Sequence, residues 1–143
     1  MATLIHERWQ DVWTAIPVAI EGTDPEGVHD VRVASRRLRA AMDVAAAAFP
    51  ANWYRPLHKL AKEITSELGE VRDRDVQIEY LTEFRSKADP GDQPGVDRLI
   101  AQLDAEREIA RSHMLAFLED IETRGTRDIV DRRFGGAERP AAE

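Results

Sequence analysis

Basic side chains recur on one face of the predicted helix that spans residues 28–49. Wound at 100° per residue, this segment brings several of them into a line about 15 Å long. The row consists of His29, Arg32, Arg36 and Arg39, and Arg37 lies off it. Guanidinium groups so close together repel one another, and each can donate two hydrogen bonds to phosphate oxygens. The spacing therefore predicts a site for an extended anion.

An apolar face lies roughly a right angle away from this row on the same predicted helix. Asp24, Pro25 and Glu26 give the helix its start, because a capping aspartate precedes a proline and an acid in the first turn. Pro50 ends it. We expect the apolar face to join a core and to leave the basic row at its edge. That face carries Val31, Leu38, Met42, Ala45 and Phe49.

A second basic cluster falls on the next predicted helix, over residues 52–68. Gly69 is predicted to end this helix, because glycine is common just past a helix C-terminus. A separate helix is then predicted over residues 71–87. Asp73 and Asp75 would lie in its first turn, where the helix dipole favours acids, and this explains them better than a metal site does. The basic cluster comprises Arg55, His58, Lys59 and Lys62.

The charge of the chain is distributed unevenly. Its 143 residues carry a formal net charge of −7. Between Arg32 and Lys62, however, seven Lys or Arg residues stand against one acid, Asp43, so this segment carries +6 and the remainder −13. A concentrated basic patch on an acidic body favours an anionic ligand that fits the patch alone.

The remaining segments also show helical periodicity, and none alternates with the period of a strand. Helices are predicted over residues 3–21 and 95–122, with a loop over 88–95 and a short helix over 127–133. The predicted fold is all-α: an antiparallel bundle of four to five main helices, with short connections. We expect residues 1–124 to form this bundle, and residues 125–143 to add the short helix and a flexible tail.

Several classes of protein are disfavoured by what the sequence lacks. It contains no cysteine, no run of about 18 apolar residues and no secretory pattern in MATLIHERWQ. It also has no glycine-rich phosphate loop and no HExxH motif, and its serines fall on predicted helices. We therefore expect a cytoplasmic binding protein that is not an enzyme, does not span a membrane and needs neither cofactor nor metal.

Two segments resemble the CHAD family, the conserved histidine α-helical domain, and they occur in the family's order. HDVRVASRRLRAAMDVAAAAFP (residues 29–50) is similar to its signature, and ELGEVRDRDVQIEYL (residues 67–81) to its second landmark. The resemblance implies a helical bundle that binds inorganic polyphosphate in a basic groove, as a targeting or accessory module without catalysis. It implies binding roles for the signature positions His29, Arg32, Arg36, Arg37 and Arg39. Supporting positions would be Arg55, His58, Lys59, Lys62 and Arg72.

One departure from the family concerns the number of bundles. Family members usually contain two bundles related by a pseudo-two-fold axis, whereas this sequence has one signature and about half that length. It would thus correspond to one half of such a domain. Since two-fold pairing is the commonest route to a closed assembly, we expect a homodimer. Association with polyphosphate granules in the cytoplasm is part of the same expectation.

Two other ligands remain open for the basic row. It could follow the phosphodiester backbone of a nucleic acid, although no aromatic side chains are interleaved with it for base stacking. Trp53 and Tyr54 are the nearest aromatics, and their position suits packing. The helices could instead form a scaffold for an acidic protein partner. Polyphosphate is favoured over nucleic acid, because the acidic remainder of the chain would repel a duplex.

Overall fold

Five α-helices form the fold in the computed structural model, which describes residues 1–136. They are α1 (Ala2–Glu21), α2 (Glu26–Ala45), α3 (Ala51–Lys87), α4 (Gln93–Thr123) and α5 (Thr126–Phe134). The described residues contain no β-strand, so the predicted all-α class is confirmed. None of these helices is long and apolar enough to cross a membrane. Most of the predicted tail, from residue 137 onward, lies outside the described residues.

The helices are arranged as two antiparallel hairpins, α1–α2 and α3–α4, with α2 packed along α3. At the start of α2, the backbone N–H of Glu26 donates to Oδ1 of Asp24 at 2.9 Å, as expected of a capping aspartate. The predicted apolar face of α2 is buried except for Phe49, which lies beyond the helix and is half-buried. The largest buried side chains include Trp9, Leu38, Met42, Ile64, Leu68, Met114, Leu118 and Phe134.

One prediction about the helices was wrong: residues 51–87 form a single helix, not two separated at Gly69. Gly69 is buried in the interior of α3, where a glycine costs roughly 1 kcal/mol relative to alanine. It is accommodated because the neighbours on both sides belong to the core, including Leu68 and Val71. Consequently Asp73 and Asp75 lie in mid-helix and do not owe their positions to a helix start.

An aromatic cluster packs the beginning of α3 against α5. Phe134 of α5 packs edge-on against Phe49 and Trp53, with ring centroids 5.5 Å away in each case. The hydroxyl of Tyr54 donates to the carbonyl of Met42 at 2.7 Å. Burial of Tyr54, together with the nearby charge of Asp43, raises its pKa to about 12. This cluster anchors the first turn of α3, which directly precedes the first predicted basic residues of that helix, Arg55, His58 and Lys59.

The α3–α4 hairpin is longer than the α1–α2 hairpin. At its middle, Asp75 pairs with Arg107, and near its tip Arg85 Nε donates to Asp97 at 2.5 Å. The guanidinium of Arg111 donates to the last carbonyls of α1, at 2.9 Å to Ala19 and 2.6 Å to Ile20. The end of α1 therefore lies level with Arg111, and α4 continues past it toward its own N-terminus.

Candidate functional site

Three contacts fix the register between α2 and α3. Nε2 of His58 lies 2.6 Å from Oδ1 of Asp43, and the hydroxyls of Ser35 and Thr65 are 2.9 Å apart. Near the other end of the pair, Arg32 lies against Gly69. Residue numbers rise along α2 as they fall along α3, so the helices run antiparallel with a constant offset. The basic face of α2 therefore borders α3 along its length.

This register places several predicted basic positions of α2 level with predicted basic positions of α3. Arg39 of α2 is level with Lys62 of α3, and His29 is level with Arg72. Arg36 is level with Thr65, one turn of α3 beyond Lys62. Arg55 and Lys59 precede Lys62 at helical spacing and widen the basic surface on the α3 side. We call the surface formed by these residues the α2/α3 groove, and Arg37 lies outside it on the far side of α2.

The cations of this region differ from most others in the protein by lacking carboxylate partners. Seven Lys or Arg residues elsewhere form ion pairs: Arg8, Arg74, Arg85, Lys87, Arg107, Arg124 and Arg127. Eight predicted site residues pair with no carboxylate among residues 1–136: Arg32, Arg36, Arg37, Arg39, Arg55, Lys59, Lys62 and Arg72. Their positive charge is consequently available to an external anion.

Arg32 is set deepest among these arginines that project from α2. Its side chain is half-buried, whereas Arg36 and Arg39 are exposed. Its Nε is shielded from solvent and has no hydrogen-bond acceptor among the described residues. A Cβ placed on Gly69 would lie 3.3 Å from this Nε, so the glycine provides the space in which the guanidinium lies against α3. An anion in the groove would supply a counter-charge to this desolvated cation.

The two histidines among the predicted site residues, His29 and His58, have carboxylates nearby. His29 is half-buried, and its ring nitrogen and the carboxylates of Glu26 and Asp30 lie within 4.8 Å of one another. His58 is also half-buried and is held by Asp43. Carboxylates repel phosphate, so these two histidines are less suited to contact an anion than the arginines and lysines that pair with no carboxylate among residues 1–136.

The acids that follow Gly69 have a structural role in the α3–α4 hairpin. Asp75 and Arg107 are both largely buried and pair with each other. Arg74 pairs with Glu70 at 2.9 Å and with Glu106 at 3.6 Å. Sequence reasoning places Asp75 in the first turn of a separate helix and gives no partner for it. It missed Gly69 as part of the groove, because a glycine between two apolar stripes has the same pattern as a helix end.

The comparisons with known proteins give one match. The family model for the CHAD domain matches residues 3–143, which is essentially the whole chain. No curated protein and no solved structure matches the chain. The match extends over both segments that carry the resemblance, the α2 signature and the Gly69 segment of α3. The chain therefore belongs to the CHAD family.

Proposed function

We propose that this protein binds inorganic polyphosphate along the α2/α3 groove and does not turn it over. The observation that carries the proposal is the set of cations on α2 and α3 that pair with no carboxylate among residues 1–136. Membership of the CHAD family supports it, because that family is related to polyphosphate. In this proposal the protein is a cytoplasmic targeting or accessory module, and it associates with polyphosphate granules.

The chemistry of the groove suits a linear polymer of phosphates. Arg32, Arg36 and Arg39 follow one another at intervals of three or four residues, so their guanidinium groups are spaced along about 10 Å of helix. Each offers a planar fork of donors, and Lys59 and Lys62 add point charges from the other side. A single exposed ion pair contributes at most about 1 kcal/mol. Several such contacts acting together can give micromolar affinity.

We also propose that two chains pair, so that the polymer meets two grooves related by a two-fold axis. A single bundle carries one groove, and a second copy doubles the number of phosphate contacts. When both grooves engage one polymer, the second contact becomes intramolecular, which raises the apparent affinity for long chains above that for short ones. Short and long polyphosphates should therefore differ in affinity by more than their charge per unit implies.

The first test is a titration of the protein with fluorescent long-chain polyphosphate at low and moderate salt. Binding should weaken steeply as salt rises, by analogy with counterion release from nucleic acids. Single-stranded DNA of equal charge should compete poorly. The double variant Arg36→Ala/Arg39→Ala should lower affinity by roughly tenfold or more, since two unpaired cations are lost. The double variant Arg98→Ala/Arg132→Ala removes two exposed arginines, one on α4 and one on α5, and serves as the matched control.

Four outcomes would contradict the proposal. Equal losses in Arg36→Ala/Arg39→Ala and in Arg98→Ala/Arg132→Ala would show that binding follows overall charge and not the groove. Displacement by DNA at equal charge would favour nucleic-acid binding. Absence of binding at low salt would favour a scaffold for an acidic protein partner. Release of free phosphate from the polymer by the purified protein would contradict the absence of turnover.

A further inference from the structure

The far half of the α3–α4 hairpin extends beyond the α1–α2 hairpin. At the register set by Ser35–Thr65 and Asp43–His58, the first residue of α2 is level with about residue 75 of α3. Residues 76–87 of α3 therefore lack α2 as a neighbour over about 18 Å. On α4, the segment before Arg107 likewise extends past the end of α1, which lies level with Arg111.

This protruding segment exposes large apolar side chains. Tyr80 is 68% exposed, Leu99 51%, Phe84 49% and Val76 45%. Together they leave roughly 400 Å² of mostly apolar surface in water, about the size of a patch that marks an interaction site in a monomer. Tyr80 and Val76 of α3 border a groove whose other wall is Leu99 and Leu103 of α4.

The exposed face of α3 is symmetric about Tyr80. Val76 lies four residues before Tyr80, and Phe84 lies four residues after it. Asp73 lies seven residues before and Lys87 seven residues after, so all five positions fall on one face of the helix. The face thus has an aromatic residue at its centre, an apolar residue on either side, and opposite charges at its two ends.

We infer that this face of α3 binds the same face of a second copy of the chain, antiparallel across a two-fold axis near Tyr80. In that arrangement Val76 packs against the partner's Phe84, and Asp73 meets the partner's Lys87 on both sides of the axis. Asp73 has no ion pair among the described residues, and Lys87 pairs only with Glu83, at 3.3 Å within its own exposed turn. Self-complementary charge therefore selects a second copy over an unrelated partner.

The area is consistent with a dimer of moderate affinity. The apolar patch supplies about half of the roughly 800 Å² that each partner buries in a standard interface. The rest can come from the polar residues that surround this face of α3 and from Leu99 and Leu103 of α4. This inference deepens the proposed pairing of two chains and rests on it, but it does not depend on polyphosphate.

The test is a charge exchange measured by sedimentation velocity. The wild-type protein should be a dimer at about 50 µM, a concentration well above micromolar affinity. Asp73→Lys and Lys87→Asp should each weaken the dimer about tenfold, because each places like charges opposite one another twice. The double variant Asp73→Lys/Lys87→Asp should restore it. Tyr80→Glu should leave a monomer, while Val44→Glu, at an exposed apolar residue of α2, should not.

Circular dichroism of each variant establishes that it folds, which is expected because all the substituted side chains are exposed. A monomeric wild-type chain overturns the inference, as does a charge exchange that fails to restore the dimer. A monomer that still binds polyphosphate overturns the interface and the proposed pairing of two chains, but it leaves the proposed binding of polyphosphate intact. A dimer with the predicted response that binds no polyphosphate supports the interface and overturns the proposed function.

Discussion

At the scale of single residues, Arg32 and Gly69 are the most informative pair in the groove. A half-buried guanidinium whose Nε finds no acceptor is costly in a folded protein, since buried polar groups are normally hydrogen-bonded. The absence of a side chain at Gly69 lets this guanidinium lie against the backbone of α3. A partly desolvated cation therefore lies beside the exposed guanidinium groups of Arg36 and Arg39.

Gly69→Ala should therefore affect binding more than stability. Alanine favours the helix by roughly 1 kcal/mol, which offsets part of the crowding against Arg32, so the free energy of unfolding should change by less than about 1 kcal/mol. Polyphosphate affinity should fall about threefold as the Arg32 guanidinium is displaced. Denaturant unfolding and fluorescence titration measure the two quantities. In the background Arg32→Ala, the same substitution should leave affinity unchanged; a further loss there would mean that Gly69 acts independently of Arg32.

At the scale of elements, the position of α2 depends on its close packing against α1. A Cβ on Gly27 would lie 2.7 Å from backbone atoms of Val18 and Ala19, so the two helices touch there without an intervening side chain. This close approach buries the core face of α2 against α1. Arg32 of the basic row then lies against Gly69 of α3. The crossing of α1 and α2 consequently sets how the row is presented.

Gly27→Ala should destabilise the fold, because backbone atoms cannot move aside as a flexible side chain can. We expect a loss of about 1–3 kcal/mol in the free energy of unfolding, the usual range for overpacking. Gly95→Ala is the matched control: it also lies in a helix, and no atom approaches its Cβ position within 4 Å. Chemical denaturation of both variants decides the matter. If Gly27→Ala is as stable as Gly95→Ala, close packing does not fix α2.

At the scale of the whole molecule, the separation of charge matters more than the net charge of −7. The Lys and Arg residues of the α2/α3 groove pair with no carboxylate among residues 1–136, whereas Arg107, for example, pairs with Asp75. These unpaired cations therefore repel one another. The free protein should bear a modest electrostatic cost that an anion, or salt, can relieve.

Moderate salt should accordingly stabilise the free protein by screening this repulsion. Raising sodium chloride from about 10 mM to about 150 mM should increase the stability of the wild type by roughly 1 kcal/mol. The variant Arg36→Ala/Arg39→Ala should respond less, because part of the repulsion is already gone. Thermal unfolding at both salt concentrations measures the difference. An equal response in the two proteins would show that the groove is not where the repulsion lies.

The fold class, the apolar face of α2 and the composition of the basic row could be predicted from the sequence. These follow from local periodicity: Val31, Leu38 and Met42 repeat at helical spacing, and so do Arg32, Arg36 and Arg39. The family resemblance likewise rests on contiguous segments and was confirmed by the match over residues 3–143.

Three features could not be predicted from the sequence because they depend on long-range packing. They are the continuity of α3, the position of Arg32 and the length by which the α3–α4 hairpin exceeds the α1–α2 hairpin. Gly69 looks like a helix end in the sequence, and its buried neighbours outweigh that local preference. Arg39 and Lys62 lie at the same height because of how α2 and α3 pack, and this packing is a long-range property. The same is true of Val76, Tyr80 and Phe84: their spacing predicts a core face, but α2 begins too late along α3 to cover them.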